Sequence, residues 1–359
     1  MNKIAELISR LCPDGVEFKT LDSLVSYVQP GPYIVSSTEY DTHYSTPVLT
    51  AGQSFILGYT NEEEGIYNAS SQKPVIIFDD FTTSFHWVDF DFKVKSSALK
   101  ILKIKDKQEA DFRYIYMAMK TIHFIPTNHM RHWISLYSKF EIPLPPLNIQ
   151  KEIVSILDSF TSLIDKMKQE VEMRKKQMEY YLNILICKDN VAARLFGDIG
   201  VVQRGKRVVR KELALQGCIP VFQNSLTPLG YYQYSNIPAN NTFVISAGTA
   251  GEIGFSAKPF WAADDCLVIS SVLCDSKYLY YYLKTQEQFL KSQIRGGAMK
   301  RLSRETIEKL EIPVPSLEKQ RQIASILDSF ETYISKLEKM IELRQKQYEY
   351  YREKLLTFE

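Results

Sequence analysis

The sequence predicts an α+β protein in which two mixed α/β domains are separated by two long antiparallel helices that form a coiled coil, with a pseudo-twofold internal repeat. Three observations predict this fold. Two stretches of the 359-residue chain repeat one another without a gap. The apolar residues of each stretch follow the spacing of a coiled-coil seam, and a proline-rich segment precedes each predicted helix.

The internal repeat is the clearest of these observations. It brings Ile142–Tyr181 onto Ile312–Tyr351 at a shift of 170 positions, with roughly half of the aligned residues identical. The run Ser155–Phe160, for example, recurs as Ser325–Phe330. Such similarity at a fixed shift indicates a duplicated structural unit. The chain is therefore two units, each a variable domain followed by a near-constant helix.

In each repeated stretch the apolar residues step four, three, four, three along the chain, which gives a helix one face for a partner helix. The seams are Ile153, Leu157, Phe160, Ile164, Met167, Val171 and Arg174 in the first copy and Ile323, Leu327, Phe330, Ile334, Leu337, Ile341 and Arg344 in the second. Equivalent helices that pair about a twofold axis perpendicular to them are antiparallel. The alternative is that each helix packs only on its own domain. The matched arginines either fix the register or extend from the seam edge into solvent.

The prolines place the domain boundaries. Pro143, Pro145 and Pro146, and then Pro313 and Pro315, end the preceding domain and allow a helix to begin. We predict a first domain at residues 1–141, a first conserved helix at 142–187, a second domain at 188–311 and a second conserved helix at 312–359. A helix of about 35 residues spans roughly 50 Å, which is more than the core of a small domain requires.

Composition and charge narrow the class of protein. No run of about 18 apolar residues appears, and residues 1–11 do not resemble a signal peptide, so we expect a cytoplasmic protein. The five cysteines are scattered, which predicts small buried hydrophobic residues rather than disulfides or a zinc site. Residues 1–141 hold 14 Lys and Arg against 17 Asp and Glu, and residues 188–311 hold 16 against 11. Neither half is basic enough to hold a nucleic acid tightly by charge alone.

Three further motifs lie near the N-terminus and at the start of each repeated stretch. Leu11–Glu17 is the first, and the segments Glu141–Leu147 and Glu311–Leu317 are followed by Gln150 and Gln320. With these motifs the whole chain resembles the specificity (S) subunits of type I restriction-modification systems. The resemblance implies two target recognition domains, each reading one half of a split double-stranded DNA site, and conserved helices that act as a spacer and a docking surface.

The resemblance also implies partners and cofactors. Two modification (methyltransferase) subunits would dock on the helices and recognition domains, and two restriction (translocase-nuclease) subunits would optionally join them. S-adenosylmethionine, ATP and Mg²⁺ would be bound by those partners, and no cofactor by this chain. We therefore expect a DNA-recognition subunit that directs enzymes to a bipartite target and has no catalytic centre or metal site of its own.

Candidate DNA contacts are polar and cationic loop residues, because Arg, Lys, Asn and Gln bind base edges and phosphates. In the second domain they are Gln203, Arg204, Lys206, Arg207, Arg210, Gln223, Asn224, Arg295, Lys300, Arg301 and Arg304. In the first domain they are Thr82, Thr83, Ser84, His86, Asn128, His129, Arg131 and His132. The repeat alignment places Arg131 on Arg301. For the basic clusters the alternative is ordinary solvated surface, and for the histidines at 129 and 132 it is packing near Trp133.

Catalytic motifs are mostly excluded. The glycines of Gly248–Gly254 fit neither a dinucleotide fingerprint nor a P-loop, so we predict a tight turn between strands. The pair His129 and His132 lacks further ligands of suitable spacing for a metal.

Two other functions remain as alternatives. Asp79, Asp80, Asp91 and Lys93 would suit a metal-dependent nuclease, but Val88–Lys95 alternates apolar and charged residues as a half-solvated strand does. The other alternative is a coiled-coil scaffold that joins two protein-binding domains without touching DNA.

Overall fold

The computed structural model of the chain describes residues 2–52, 54–126, 130–187, 191–209, 211, 213–294 and 301–358. The chain divides into two compact units. Unit 1 comprises Met1–Lys166 and Ile341–Glu359, and unit 2 comprises Met167–Met340.

Unit 1 is a mixed α/β unit with three small sheets. Its elements are α1 (Asn2–Leu11), β1 (Phe18–Thr20), α2 (Leu21–Leu24), β2 (Val25–Val28), β3 (Thr46–Leu49), β4 (Ile56–Thr60), β5 (Val75–Asp79), β6 (Phe85–Val88), β7 (Lys93–Val94), β8 (Leu99–Ile104), α3 (Phe112–Met119), α4 (His132–Ser135) and β9 (Glu141–Pro143). The strand orders are β2-β8-β5-β6, β4-β3-β7 and β1-β9. Only β3 and β7 pair in parallel among the named strands of this unit.

Local sequence explains the central elements of unit 1. The first four residues of β5 are all buried, as expected of an apolar strand covered on both faces. Helix α3 begins where the Asp111 carboxylate accepts hydrogen bonds from the N–H groups of Arg113 and Tyr114. Its apolar residues pack in one core with Ile153 and Leu157, which lie on the first long helix.

Unit 2 begins within that helix, α5 (Leu147–Cys187), and ends within the second long helix. Its elements are β10 (Ala193–Leu195), α6 (Phe196–Ile199), β11 (Gly200–Arg204), β12 (Ile219–Phe222), β13 (Gly230–Tyr232), β14 (Asn241–Ile245), β15 (Ile253–Ser256), β16 (Trp261–Ala262), β17 (Cys266–Ser271), α7 (Ser276–Thr285), α8 (Glu287–Ser292), α9 (Arg304–Glu308), β18 (Glu311–Pro313) and α10 (Leu317–Leu356).

The sheets of unit 2 repeat those of unit 1. Their orders are β11-β17-β14-β15, β13-β12-β16 and β10-β18. Asp275 caps α7 through the N–H groups of Lys277 and Tyr278, as Asp111 caps α3. The fold is therefore internally repeated even where the sequences of the two domains have diverged.

The long helices α5 and α10 contribute to the core of each unit. In unit 1 the rings of Phe160 and Tyr351 pack with centroids 5.5 Å apart, and Leu355 belongs to the same core as Ile153. The first turns of α5 thus pack against the last turns of α10 within this unit.

Unit 2 contains the corresponding contacts with the helices exchanged. The rings of Tyr181 and Phe330 stack with centroids 5.5 Å apart, and Lys175 Nζ lies 2.9 Å from Glu338 Oε1. Arg174 donates to Glu170 and Gln177 of its own helix and lies over the ring of Tyr333 at 5.4 Å. In unit 1, Arg344 of α10 likewise donates to Gln347, at 2.7 Å. Every seam residue is buried or half-buried.

Three local expectations differ from the structure. The conserved segments open as strands β9 and β18 rather than as helix, because each proline disfavours helical backbone in the residue before it. The segment Val88–Lys95 is not one half-solvated strand but is interrupted between β6 and β7. Lys93 is 3% exposed instead of facing solvent.

The turn at Gly248–Gly254 is confirmed. It connects the antiparallel strands β14 and β15, and Gly248 and Gly251 have φ values of 83° and 88°. These are left-handed conformations that glycine adopts without strain.

The cysteines only partly match the expectation of buried hydrophobic residues. Cys266 and Cys274 are buried, Cys12 is half-buried and Cys218 is exposed. Burial raises the pKa of the Cys266 thiol to about 12. Among the described residues, no helix is both long and apolar enough to cross a membrane.

Candidate nucleic-acid interface

The first polar patch of unit 1 lies at the turn between β5 and β6. Asp79 Oδ1 accepts hydrogen bonds from the N–H groups of Phe81 and Thr82 at 2.9 and 2.8 Å, and Thr83 is in the left-handed region with φ 57°. Thr82 is exposed and donates to Ser84 Oγ at 3.1 Å, whereas Thr83 is buried. The turn therefore presents Thr82 and Ser84 to a ligand more fully than Thr83.

His86 lies further along β6 and is half-buried. Its ring stacks on Phe55 with centroids 4.6 Å apart, and its Nε2 lies 3.1 Å from the carbonyl oxygen of Gly52. Its orientation is therefore fixed by neighbours on the β3–β4 connection.

Asp80 links the β5–β6 turn to the second polar patch. Its main-chain oxygen accepts a hydrogen bond from His132 N–H at 2.8 Å, and its Oδ1 accepts one from Trp133 N–H at 2.9 Å. Its Oδ2 lies 3.3 Å from Lys100 Nζ, and both side chains are 1% exposed. A buried ion pair thus fixes the start of α4, directly after Arg131.

Arg131 and His132 differ in exposure. Arg131 is exposed at the N-cap position of α4. His132 is 5% exposed, and its ring packs edge-on against Phe124 with centroids 5.4 Å apart. The packing alternative thus describes His132, and among the described residues of this patch Arg131 is the cation exposed to solvent.

In unit 2 a turn between β16 and β17 holds two cationic candidates. Arg204 Nε donates to the carbonyl oxygen of Asp264 at 2.7 Å, and Arg301 Nη2 lies 3.1 Å from Asp265 Oδ1. The Arg301 side chain is still 40% exposed. The turn therefore orients both arginines and leaves them accessible.

Lys206 lies beside the same turn. Its N–H donates to Ala262 at 2.9 Å, and its carbonyl oxygen accepts from Trp261 Nε1 at 2.8 Å. Gln203, Lys206 and Arg207 are all exposed.

The remaining candidates are less uniform. Asn224 is exposed, and its carbonyl oxygen accepts from Thr249 N–H at 2.9 Å, while Gln223 is half-buried. Arg304 pairs with Glu308 one turn along α9 at 2.6 Å. Asn128, His129, Arg210, Arg295 and Lys300 lie outside the described residues.

The two units share one main-chain hydrogen bond, made to the residue that directly follows β5 in unit 1 and β14 in unit 2. His132 N–H donates to the carbonyl oxygen of Asp80, and Leu302 N–H donates to that of Ser246, both at 2.8 Å. In each unit the residue before the donor is the arginine that the repeat alignment had matched. The two arginines therefore occupy equivalent places in the two units.

Sequence reasoning missed the residues that support these candidates, above all Lys100 and Asp264–Asp265. Lys100 had a signal, because it is an inward-facing lysine in the otherwise apolar start of β8 and such a lysine requires a buried partner. The two aspartates had no comparable signal, since their role depends on which loops the fold brings to their turn.

The nuclease alternative has no support in the geometry. Asp79 caps a turn, Asp80 is buried against Lys100, and Asp91 Oδ2 accepts from Asn68 Nδ2 at 3.1 Å. Lys93 Nζ is buried 2.9 Å from Glu62 Oε2. Within the described ranges, no group of three or more His, Cys, Asp or Glu is placed to hold a metal ion.

A repeated glutamine joins each long helix to its domain. Gln150 is fully buried, accepts a hydrogen bond from Asp111 N–H at 2.8 Å and donates to Pro145 at 2.7 Å. Gln320 is also fully buried and makes the equivalent bonds with Asp275 at 2.7 Å and Pro315 at 2.8 Å. The amide thus ties the helix start to the capping residue of the domain helix.

A charged contact lies about two turns further along each long helix. Arg113 Nη2 donates to Asp158 Oδ1 at 2.9 Å, and Lys277 Nζ lies 2.9 Å from Asp328 Oδ1. Tyr281 also donates to Asp328 at 2.7 Å, and burial raises the pKa of this tyrosine, so it remains a donor. In both units, the contacts between the long helix and the domain helix therefore use residues of the repeated stretches.

Comparison with known proteins adds independent information. Residues 13–173 and 189–345 match the family described as type I restriction modification DNA specificity domain. The chain is 36% identical over 388 residues to the specificity subunit of the type I restriction enzyme EcoR124I/EcoR124II from Escherichia coli, an alignment that covers 96% of this chain and 95% of that protein. A putative type I restriction enzyme specificity subunit from Haemophilus influenzae is 28% identical, with 96% of each chain covered.

Solved structures show the same fold. The S subunit of a type I restriction-modification system from M. genitalium superposes with a TM-score of 0.71 at 17% identity, covering 95% of this chain and 96% of that one. A chain from a structural study of the assembly and conformational transition of a type I restriction-modification system gives a TM-score of 0.53 at 13% identity, covering 96% and 98%.

Proposed function

This chain belongs to the type I restriction-modification DNA specificity family, and from that membership we propose that it reads a bipartite DNA sequence with one domain for each half. As a specificity subunit it serves DNA recognition and is not itself an enzyme. The observation that carries the bipartite proposal is the equivalent placement of Arg131 and Arg301. Each arginine directly precedes a residue whose N–H donates to the carbonyl oxygen of the residue after β5 in unit 1 or after β14 in unit 2.

The surroundings of these two arginines differ, so we expect the two half-sites to differ as well. Arg131 directly precedes the segment that the buried Asp80–Lys100 pair anchors, whereas Arg301 is itself paired with Asp265. The same backbone position therefore carries a solvent-facing arginine in unit 1 and a partly neutralised one in unit 2. Arginine contacts to guanine depend on such orientation.

We further propose that α5 and α10 form an antiparallel coiled coil with pseudo-twofold symmetry that spaces the two recognition domains. The support is the exchange of contacts: Phe160 with Tyr351 in unit 1, and Tyr181 with Phe330 in unit 2. These pairs are related by the 170-residue shift, as an isologous contact requires. In this proposal the domains are residues 1–141 and 188–311, and the spacer segments are 142–187 and 312–359.

The specificity subunit acts with DNA and with other restriction-modification subunits. We propose that two modification subunits dock on it and that two restriction subunits optionally join. S-adenosylmethionine, ATP and Mg²⁺ would then be bound by those subunits, and the complex would work in the cytoplasm.

Selection of bound fragments from a random duplex library tests the proposal. The full chain is reconstituted with its modification subunit, and bound DNA is sequenced. We expect two short conserved sequences separated by an unread gap of fixed length. A library without enrichment would favour the protein-binding scaffold, and one contiguous sequence would contradict reading by two domains.

A further inference from the structure

A cationic cleft in unit 1 lies away from the candidate DNA contacts. It has a volume of about 530 Å³ and opens between the start of β5, the end of β8 and the starts of α3 and α5. Its lining includes five cations from different segments of the unit, Lys73, Lys103, Lys107, Arg113 and Lys151. The β5–β6 turn that carries Thr82 is at the other end of β5.

The charge of this cleft is unbalanced. Asp111 is the one acidic residue among the described residues of its lining, and its carboxylate is occupied in capping α3. Arg113 is paired with Asp158, but among the described residues none of the four lysines forms an ion pair. All four lysines are exposed, Lys107 Nζ donates to the carbonyl oxygen of Gln72 at 3.3 Å, and Lys103 Nζ lies 5.3 Å from the ring centroid of Tyr67. Since no carboxylate that the structure describes balances their charge in the cleft, they favour an anion there. The cluster stands out in a domain where acidic residues outnumber basic ones.

Neutral groups in the lining suit the rest of a nucleotide. Trp87 is half-buried beside Arg113, whose guanidinium carbon lies 4.9 Å from its ring centroid, and its remaining surface lines the cleft. Asn68, whose Nδ2 donates to Asp91, and Gln72 add exposed amide groups to the lining. Aromatic rings stack with nucleobases, and amides hydrogen-bond to their edges. A cleft of this volume is of the size that encloses a small molecule.

Unit 2 lacks the same set of cations. By strand register, the position of Lys73 is taken by Ala239 and that of Lys103 by Ser270. Unit 2 does keep two of the five cations, with Lys277 at the place of Arg113 and Arg321 at that of Lys151. The lysines at 73 and 103 therefore distinguish the cleft of unit 1.

We propose that this cleft binds a mononucleotide with a chain of phosphates, a nucleoside triphosphate being the simplest member of the class. The lysines hold the phosphates, and Trp87 lies against the base. This site is separate from the DNA contacts and does not depend on them.

The test uses ATP as the probe, without added metal, and the full chain. Trp87 fluorescence should be quenched saturably, with a dissociation constant below about 1 mM. Lys73→Ala with Lys103→Ala should weaken ATP binding at least about 10-fold, because two charge contacts are lost. Lys166→Ala with Lys168→Ala, two exposed lysines of α5, is the charge-matched control and should bind ATP normally.

Trp87→Phe separates the signal from the site. It should abolish the quenching while equilibrium dialysis with labelled ATP still detects binding. Absence of saturable ATP binding, or an equal loss in both double-lysine variants, would overturn the proposal. So would loss of duplex DNA affinity in the cleft variant without loss of ATP binding, because the lysines would then be DNA-backbone contacts. DNA recognition is measured separately, so failure of the cleft proposal leaves the proposed function unaffected.

Discussion

The side-chain oxygen of Gln150 accepts a hydrogen bond from the main-chain N–H of Asp111 at 2.8 Å, and so connects a long helix to the first turn of a domain helix. Gln320 makes the same bond in unit 2. Because both amides are fully buried, removing one leaves a main-chain donor without a partner. Each glutamine therefore contributes to the orientation of its domain on the long helix, together with the ion pairs at Asp158 and Asp328.

Gln150→Met should destabilise the chain by about 1–3 kcal/mol, the usual cost of an unsatisfied buried group. Thermal denaturation followed by circular dichroism measures this. Gln169→Met, at an exposed position of the same helix, is the control and should change little. Equal melting temperatures for the two variants would show that the hydrogen bond between Gln150 and Asp111 does not stabilise the attachment of the domain to the helix.

Arg131→Ala and Arg301→Ala should each weaken binding at one half-site only. A lost arginine contact to a base costs about 1–3 kcal/mol and relaxes the sequence requirement at that position. Competition binding with targets mutated in either half measures the effect. Arg194→Ala, at an exposed arginine of β10 that is not a candidate contact, is the control and should leave both half-sites unaffected. Equal losses at both half-sites would contradict separate reading.

The buried pair of Asp80 and Lys100 should be sensitive to single substitutions. Lys100→Met leaves the Asp80 carboxylate buried without a cation. The free energy of unfolding should fall by about 3–5 kcal/mol. Lys100→Met combined with Asp80→Asn should recover part of this stability, since no charge is then buried alone. Urea denaturation compares the three chains. A double variant less stable than Lys100→Met would argue against the ion pair as the cause.

Lys206→Ala with Arg207→Ala should reduce the salt dependence of DNA binding. Each lost phosphate contact lowers the slope of log affinity against log salt concentration by about 0.9. Titrations at several salt concentrations with a target and a non-target duplex measure the slope. Both duplexes should be affected alike; a change confined to the target would show that these residues read bases instead.

Much of the repeated part of the fold could be predicted from the sequence. The shift of 170 residues located both long helices, and Gln150 and Gln320 were visible as matched residues. Their hydrogen bonds were not, because the partners, Asp111 and Asp275, come from segments whose place depends on tertiary packing. Local pattern also misjudged Lys93, whose charge is balanced by a glutamate 31 positions earlier in the chain.

The candidate interface was predicted only as loose clusters of polar residues. The alignment of Arg131 with Arg301 carried over into equivalent positions in the two units. The supports of these arginines depend on contacts distant in sequence, such as Lys100 with Asp80 and Arg301 with Asp265, which residue spacing does not encode.

Removing one heptad from each long helix tests the spacer directly. Deleting residues 164–170 and 334–340 together keeps both seams in phase and shortens each helix by about 10 Å, roughly three base pairs of DNA. Library selection with the reconstituted complex should then return both original half-site sequences with a gap shorter by about three base pairs. An unchanged gap would contradict the account, because the helices would not set the distance between the two recognition domains.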